Sequence, residues 1–168
     1  MGKIIGIVCV DSKWNIGANN DLLFHLKGDM KFFKEKTLNQ TVCMGKNTLL
    51  SLPGSKPLKN RTNIVLCSEG HEYEGCICKH SFDEIVDLVE ATKALDFYDD
   101  LFIIGGAMLY KSMLPYYDIV YVTKVNADGN GTVGFPNLDE ISEFTITEKS
   151  DIMIEDGIEY QFITYERG

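Results

Sequence analysis

A single carboxylate, Asp29, lies within an otherwise apolar helical pattern near the start of the chain. Met30, Phe33 and Thr37 fall close to one face of the predicted helix, and Asp29 precedes Phe33 by about one turn. A carboxylate among large apolar side chains needs a partner, because burial of an unpaired charge is unfavourable. If that partner is not a protein cation, it is a ligand. An acid beside an aromatic ring suits a flat heterocycle that is rich in nitrogen.

Three further segments follow predicted buried strands and contain residue types that bind phosphate groups. Residues 45–48 place a glycine and Lys46 before a helix, where backbone N–H groups and a positive charge attract anions. Gly105 and Gly106 let the backbone approach a pyrophosphate closely, and residues 66–68 end a third strand. Open α/β sheets bind ligands at the carboxyl ends of their strands, so two such cradles in one small domain indicate a dinucleotide.

Each of these features also has an ordinary structural explanation when it is taken alone. A glycine pair after a strand is commonly a turn, and Lys46 alone is an exposed lysine. Asp29 alone is a carboxylate that the helix dipole favours near a helix N-terminus. The sequence contains neither a P-loop nor a nucleophile elbow, so only the combination of segments points to a function.

The composition is that of a soluble globular protein with an excess of acidic residues. The chain has 168 residues, of which 45% are hydrophobic and 24% charged, and this predicts one domain with a substantial core. The net charge of -9 argues against sequence-independent nucleic-acid binding, which needs a basic face. The sequence has no apolar run long enough to span a membrane and no signal-peptide pattern. We therefore expect no nucleic-acid or membrane partner, and we expect a monomer because no apolar stripe extends beyond the predicted core.

Cysteine and histidine spacing does not predict a metal site. The chain has five cysteines, an odd number, and the reducing cytoplasm is the simplest setting for them. Cys76 and Cys78 share one face of a predicted strand, but no second pair at ligand spacing completes a site. The histidines, His25, His71 and His80, lack ligand spacing as well. We expect a cytoplasmic protein without a bound metal.

Strands alternate with helices along most of the chain. The predicted strands are residues 4–10, 41–44, 63–66, 75–79, 101–104, 119–125, 144–149 and 159–165. Helices are predicted over residues 27–37, 47–52 and 107–113. A further helix starts at Ser81, with Glu84 three residues later as in a capping box.

This pattern predicts an α/β fold in one domain, residues 1–168. We expect a mixed, mostly parallel eight-stranded sheet with a C-terminal antiparallel hairpin, flanked by about four helices. The predicted hairpin turn is Asp156-Gly157. A polar loop over residues 11–23, containing Gly17, Asn19 and Asn20, separates the first strand from the first helix.

The order and spacing of these motifs closely resemble those of the dihydrofolate reductase family, of the bacterial chromosomal type. The matching features are Ile16-Gly17, Asp29 with Phe33, residues 44–48, Arg61, Gly105-Gly106 with Tyr110, Thr123 and Phe135-Pro136. The resemblance extends from residue 4 to about residue 165. It implies the dihydrofolate reductase fold and the NADPH-dependent reduction of 7,8-dihydrofolate to tetrahydrofolate, a reaction that supplies one-carbon metabolism. It also implies that antifolate inhibitors bind.

The resemblance implies a role for each matching residue of the substrate site. Asp29 would bind the pterin N3 and 2-amino groups and promote protonation of N5 through water, with Thr123 as a supporting hydroxyl. Arg61 would pair with the glutamate α-carboxylate, and Ile104 would lie between pterin and nicotinamide. The strand residues Ile7, Val8 and Cys9 would line the pterin pocket, and the aminobenzoyl wall would comprise Met30, Phe33, Leu52 and Leu58.

The resemblance implies a cofactor site as well. Its residues would be Cys9, Ile16, Gly17, Gly45, Lys46, Asn47, Thr48, Leu66, Cys67, Ser68, Ile104, Gly105, Gly106, Ala107, Met108, Leu109 and Tyr110. Residues 45–48 and 105–109 would bind the pyrophosphate, and Tyr110 would lie beside the nicotinamide. Lys46 and Ser68 would bind the adenosine 2′-phosphate, and the bond between Gly105 and Gly106 would be cis.

The chain departs from the family pattern at several of these positions. Leu23-Phe24 replaces the usual Pro-Trp pair, so Phe24 occupies a catalytic position without an indole N–H. The loop before it covers the nicotinamide in relatives, and its mobility is expected to differ. Lys46 replaces an arginine, Cys67 a serine and Met108 an arginine. These changes weaken the predicted basic cluster, so the preference for NADPH over NADH is left open.

Two other functions are compatible with the same fold class. A reductase of riboflavin synthesis that acts on a pyrimidine sugar phosphate would need a basic phosphate site in place of Asp29 and Arg61. A non-catalytic module that binds folates or nucleotides would keep the binding residues, and stoichiometric binding without turnover would distinguish it.

Overall fold

Short buried segments rich in β-branched residues form the centre of the structure. The computed structural model describes residues 2–18, 21–95 and 99–168. Strands β1 to β12 of this part of the chain are Ile4–Val10, Asn15–Ala18, Asp21–Leu22, Thr41–Gly45, Thr62–Leu66, Cys76–Lys79, Leu101–Ile103, Ile119–Val125, Val133–Gly134, Phe144–Lys149, Met153–Glu155 and Ile158–Arg167. Helices α1 to α4 are Lys27–Thr37, Lys46–Ser51, Phe82–Ala94 and Ala107–Ser112. Single turns of 3₁₀ helix are Pro53–Ser55, Leu114–Tyr116 and Leu138–Glu140.

The main sheet has the strand order β10-β12-β8-β1-β7-β4-β5-β6, and β11 adds to β12. The six strands from β8 to β6 are parallel, whereas β12 is antiparallel to β8 and β10 is antiparallel to β12. The first strand of the chain therefore lies in the interior of the sheet, between β7 and β8. This order brings the carboxyl ends of β1, β4 and β7 next to one another.

Helices cover both faces of this sheet, as an α/β sheet with buried parallel strands requires. On one face, α1 and α2 pack over a cluster that includes Ile7, Val42, Met44 and Leu49. The opposite face carries α3 and α4, whose apolar side chains join the larger cluster around Trp14. The candidate site residues on α1 therefore lie over the first face of the sheet.

Helix α3 begins as the sequence predicts. Ser81 is the residue before the helix, and its hydroxyl accepts a hydrogen bond from the Glu84 backbone N–H. The Glu84 carboxylate accepts from the His80 backbone N–H at 2.8 Å, one residue earlier than in a standard capping box. The cap is thus formed, although its reciprocal bond is displaced by one residue.

The predicted α/β architecture is confirmed, and the differences concern short strands. The loop over residues 11–23 contains β2 and β3, which form a second sheet with β9 in the order β3-β2-β9. Asn19 and Asn20, predicted in this loop, lie outside the described residues. Asp156-Gly157 is a turn with positive φ at both residues, yet it joins β11 to β12, whereas the sequence predicted that it closes β10 on β12. Within the described ranges, no helix is long and apolar enough to cross a membrane.

Candidate active site

The Asp29 carboxylate contacts side chains of the central sheet. Asp29 lies in the first turn of α1, and the Thr123 hydroxyl of β8 donates a hydrogen bond of 2.6 Å to its Oδ1 atom. Cys9 of β1 is in register with Thr123 across the parallel β1–β8 pair, so both side chains point to the same face. The Cys9 thiol therefore lies beside the same carboxylate. Residues from three distant parts of the sequence thus meet at one point.

The environment of Asp29 favours its neutral form. Burial raises the pKa of the Asp29 carboxyl group above its ordinary value, because the ionised form loses solvent. Hydrogen bonds from Thr123 and Cys9 lower that pKa, and the charge of Glu155 raises it, but burial is the largest cause. The pKa of the Cys9 thiol is also raised, first by burial and then by the charge of Asp29. A buried carboxyl group with a shifted pKa and a defined donor is typical of a functional site.

The N-terminus of α1 is bound by a residue from the other end of the chain. Leu26 precedes the helix and its side chain provides no cap. Instead, Glu155 of β11 accepts hydrogen bonds from the backbone N–H groups of Lys27 at 2.7 Å and Gly28 at 3.1 Å. The Tyr160 hydroxyl of β12 packs against Gly28 so closely that a Cβ atom there would overlap it. The C-terminal hairpin, formed by β11 and β12, therefore holds the first turn of α1, which contains Asp29.

An apolar wall lies next to this carboxylate. Phe33, Leu52, Leu58 and Ile104 are partly buried and pack against the cluster that contains Ile7. The buried Asn63 side chain holds Leu58, because it accepts from the Leu58 N–H at 3.0 Å and donates to the Leu58 carbonyl at 2.9 Å. The wall is apolar and half open, so it can contact a flat apolar group.

Arg61 lies beyond this wall, at the far end of α1. Its Nε–H donates to the Thr37 hydroxyl at 3.1 Å, and its Nη1 donates to the Lys59 carbonyl at 2.8 Å. Thr37 is fully buried, and its hydroxyl donates to the Phe33 carbonyl at 2.8 Å. Within the described residues, the Nη2 atom of Arg61 has no acceptor among the hydrogen bonds of the guanidinium. The guanidinium is thus fixed on one side and offers donors on the other.

The two glycine turns meet at the ends of β4 and β7. The Gly45 N–H donates to the Gly105 carbonyl at 2.9 Å, and the peptide bond between Gly105 and Gly106 is cis, as the resemblance implies. Gly105 has a φ of 131°, and a Cβ atom there would lie 3.2 Å from the Thr48 hydroxyl. A side chain would therefore fill the space between the turns. Neither α2 nor α4 has an acidic residue in its first turn, so the turns remain suitable for an anion.

Tyr110 connects these turns to the first strand. Its hydroxyl donates to the Ile7 carbonyl at 2.7 Å, and burial raises its pKa. The Tyr117 hydroxyl in turn donates to the Tyr110 carbonyl at 3.0 Å. The Tyr110 hydroxyl therefore links α4 to β1, which is the strand that carries Cys9.

The residues predicted for an adenosine phosphate lie at the ends of neighbouring strands. Lys46 and Ser68 are exposed, at the ends of β4 and β5 respectively. Cys67 is buried, and its Sγ atom lies 3.8 Å from the His80 Nδ1 atom. Met108 is 86% exposed, so its side chain is directed to solvent. Lys46 and Ser68 are thus the two polar groups available to a phosphate at these strand ends, whereas Cys67 is part of the packed interior.

The loop over residues 11–23, which the resemblance predicts to cover the nicotinamide and which we call the covering loop, is anchored by Asp11. This carboxylate is fully buried and accepts from the Lys13 and Asn15 N–H groups at 2.9 and 2.8 Å. Its other oxygen accepts from the Gly129 N–H at 3.0 Å. Phe24 also lies against Gly129, where an added Cβ atom would be 3.2 Å from its ring. Both ends of the loop therefore contact the segment around Gly129.

The structure brings most of the predicted site residues together, and the two exceptions are the side chains of Val8 and Met30. Val8 alternates to the other face of β1, where its side chain joins the cluster around Trp14, so that only its backbone faces α1. Met30 is 62% exposed and joins none of the described apolar clusters. Ile16, predicted near the cofactor, is partly buried against the core on the Trp14 side, and the neighbouring Gly17 pairs with Leu22 and Val133 in the small sheet.

Sequence reasoning missed Glu155, Asp11 and Phe32. Glu155 acts across 128 residues, a separation at which no local pattern signals a cap. Asp11 follows a buried strand, which was a usable signal for a loop anchor. Phe32 stacks on Phe162 with ring centroids 4.2 Å apart, and its neighbour Phe33 was the more obvious wall residue. Among the described residues, no group of histidine, cysteine, aspartate and glutamate is arranged to hold a metal ion.

Comparisons with known proteins agree with one another. A sequence model described as dihydrofolate reductase matches residues 3–167. The dihydrofolate reductase of Bacillus subtilis is 32% identical over 163 residues, covering 96% of this chain and 92% of that protein. The dihydrofolate reductase of Sus scrofa is also 32% identical, covering 96% of each. A solved structure of dihydrofolate reductase from Enterococcus faecalis, complexed with NADP(H) and RAB-propyl, has a TM-score of 0.86. It is 30% identical and covers 99% of this chain and 96% of that chain.

The raised pKa of Asp29 predicts a stability effect whose sign can be measured. A folded-state pKa above the unfolded value means that the free energy of unfolding falls as pH rises between the two values. Asp29→Asn removes this loss, so the variant is expected to be more stable than the unsubstituted protein at neutral pH. The difference should shrink as pH falls and the carboxyl group takes up a proton. Urea denaturation at pH values from about 4 to about 8 measures it.

Asp128→Asn is the control of opposite sign. A hydrogen bond from Lys13 lowers the pKa of Asp128, so this carboxylate stabilises the fold at neutral pH. Its replacement should not raise the free energy of unfolding there. An Asp29→Asn protein that is less stable than the unsubstituted protein at neutral pH would contradict the assignment.

Proposed function

The chain belongs to the dihydrofolate reductase family and catalyses the NADPH-dependent reduction of dihydrofolate, and we propose that Asp29 is the residue that binds the pterin ring. The observation that carries this proposal is the hydrogen bond from Thr123 to a half-buried carboxylate beside an apolar wall. An ionised carboxylate offers two acceptor atoms to two adjacent N–H donors, here N3 and the 2-amino group of the pterin. Thr123 orients the carboxylate for that contact.

Asp29 also promotes protonation of the pterin N5 atom, through water and without direct contact. Burial raises the pKa of the Asp29 carboxyl group above its ordinary value, and this direction supports the role, because a higher pKa makes the carboxyl group a better proton carrier than an ordinary aspartate. Phe24 takes the position of the family tryptophan and contributes apolar cover only, since a phenyl ring has no N–H to donate. Ile104 covers the pterin ring from the side opposite Phe24.

The remaining substrate contacts follow the geometry of the wall. Cys9, Ile7 and the Val8 backbone contact the pterin, and Phe33, Leu52 and Leu58 contact the aminobenzoyl group, with Met30 at its open edge. Arg61 pairs with the glutamate α-carboxylate through the side of its guanidinium that faces away from Thr37. The family binds antifolate inhibitors, and we assign them to the same pocket on the same carboxylate.

The glycine turns fit a dinucleotide. A pyrophosphate suits the space that a Cβ atom on Gly105 would fill. The first turns of α2 and α4 contain no acidic residue that would repel it. When bound, NADPH supplies the hydride for the pterin. Residues 45–48 and 105–109 hold its pyrophosphate, and Tyr110 with Ile16 and Gly17 borders the nicotinamide. Lys46 and Ser68 hold the 2′-phosphate, with Leu66 and Cys67 beside the adenosine.

The alternative reaction on a pyrimidine sugar phosphate is not favoured. The curated relatives are dihydrofolate reductases, and the chain contains both Asp29 and Arg61, which the proposal assigns to the substrate. A binding module without turnover is disfavoured on the same grounds.

We further propose that the protein is a cytoplasmic monomer without nucleic-acid or membrane partners. The net charge of -9 supports the absence of nucleic acid. Light scattering on the purified chain should give the mass of one copy, and a mass of two copies would contradict the proposal.

The proposed role of Asp29 predicts a severe loss of turnover in Asp29→Asn. The amide loses the charge and one acceptor, so the rate at neutral pH should fall by about a hundredfold or more. NADPH binding should survive, because the glycine turns are untouched. Loss of nicotinamide absorbance with dihydrofolate measures the rate, and fluorescence titration measures the binding. An unchanged rate would show that the role is wrongly assigned.

Arg61→Ala tests the carboxylate contact separately. The variant should raise KM for dihydrofolate much more than KM for NADPH, since the proposal pairs the guanidinium with the glutamate α-carboxylate of dihydrofolate and with no group of the cofactor. Lys59→Ala is the matched control, because it removes a neighbouring cation and leaves the Lys59 carbonyl that Arg61 uses. Equal effects of Arg61→Ala on both KM values would rule out the pairing.

A further inference from the structure

The start of α1 depends on a contact that nothing in its own sequence provides. Helix N-termini leave backbone N–H groups without partners, and serine, threonine, aspartate or asparagine usually supplies the cap. Here the preceding residue is Leu26, which is buried and whose side chain has no atom that can accept a hydrogen bond. The Glu155 carboxylate fills this gap with both of its oxygens, one on Lys27 and one on Gly28.

The rest of the C-terminal hairpin packs around the same point. Met153, two residues before Glu155 and on the same face of β11, packs with Leu26 in one apolar cluster. Tyr160 of β12 belongs to this cluster and lies against Gly28. Hydrogen bonding and packing therefore fix the position of the first helical turn relative to β11 and β12.

Asp29 is the next residue along the chain from Gly28. Its carboxylate must meet the Thr123 hydroxyl of β8, and β8 is itself hydrogen-bonded to β12. The hairpin thus contacts both the helix that carries Asp29 and the strand that carries its donor. A displacement of the first turn of α1 changes the distance between these two groups directly.

We propose that Glu155 is a positioning residue for dihydrofolate reduction, which sets the place of the Asp29 carboxylate by capping α1 from the C-terminal hairpin. This inference rests on the proposed role of Asp29 in binding the pterin. Glu155 makes its hydrogen bonds to the backbone N–H groups of Lys27 and Gly28, and its charge also raises the pKa of Asp29. The same cap holds the end of the covering loop, because residues 21–26 lead directly into Lys27.

The test compares two helix caps in the same protein. Glu155→Ala removes the cap of α1, and Ser81→Ala removes the hydroxyl that caps α3, on the opposite face of the sheet. Both variants lose a helix cap, but only α1 carries a residue of the reaction. Glu155→Gln keeps an amide oxygen that can accept a hydrogen bond while it removes the charge.

We expect Glu155→Ala to lower kcat/KM for dihydrofolate by about tenfold or more, because misplacement of a binding group by a fraction of an ångström is costly in rate. The dissociation constant of NADPH should stay unchanged. Glu155→Gln should recover most of the lost kcat/KM. Ser81→Ala should lower the midpoint of urea unfolding and leave kcat/KM for dihydrofolate at the value of the unsubstituted protein.

Three results would overturn the inference. Glu155→Ala and Ser81→Ala could have the same kcat/KM, which would make Glu155 a stabilising cap and nothing more. NADPH binding could weaken as much as kcat/KM falls, which would indicate a general loss of structure. Glu155→Gln could be as impaired as Glu155→Ala, which would assign the effect to charge. Asp29→Asn is measured in the same assay. Full activity in Asp29→Asn would refute the role of Asp29 in binding the pterin, whereas the outcomes above concern only the role of Glu155.

Discussion

The structure of the site depends on the placement of one partly buried carboxylate. Burial penalises the ionised form of Asp29, so the fold must supply groups that hydrogen-bond to this carboxylate. Thr123 supplies the direct hydrogen bond, Cys9 lies alongside, and Glu155 fixes the helix start one residue earlier. These residues come from β8, β1 and β11, so three separate strands contribute to the position of the Asp29 side chain.

The strand order explains how this is possible. Because β1 lies between β7 and β8, the chain must return twice to the centre of the sheet after its first strand. One return brings Gly105 against Gly45, and the other brings Thr123 beside Cys9. On the proposed assignment, the substrate and cofactor sites are neighbours along β1, and the hydrogen bond from the Tyr110 hydroxyl to the Ile7 carbonyl links the residues of the two sites.

The cofactor side of the site differs from the substrate side in how its residues are held. Asp29, Thr123 and Arg61 each have a defined protein partner, whereas Lys46 and Ser68 are exposed at strand ends. On the proposed assignment, a lysine point charge takes the place of a forked guanidinium at the 2′-phosphate, which gives less directional binding. On the same assignment, recognition of the pterin would depend on a carboxylate that protein groups hold in place, and recognition of the 2′-phosphate would depend on exposed side chains.

The sequence by itself determined the elements and the types of chemistry. Buried β-branched runs, the Ser81 cap and the glycine pairs predicted nearly every main strand and helix, because each signal is local and repeats with the period of its element. The order of Asp29, Arg61, Gly105-Gly106 and Thr123 predicted the family, which the comparisons confirm. Only the tertiary structure decided which groups meet. The cap of α1 by Glu155 and the hydrogen bond between Asp11 and Gly129 depend on contacts across more than a hundred residues. No local pattern carries that information, because a hydrogen bond between distant segments leaves no periodic trace in the sequence.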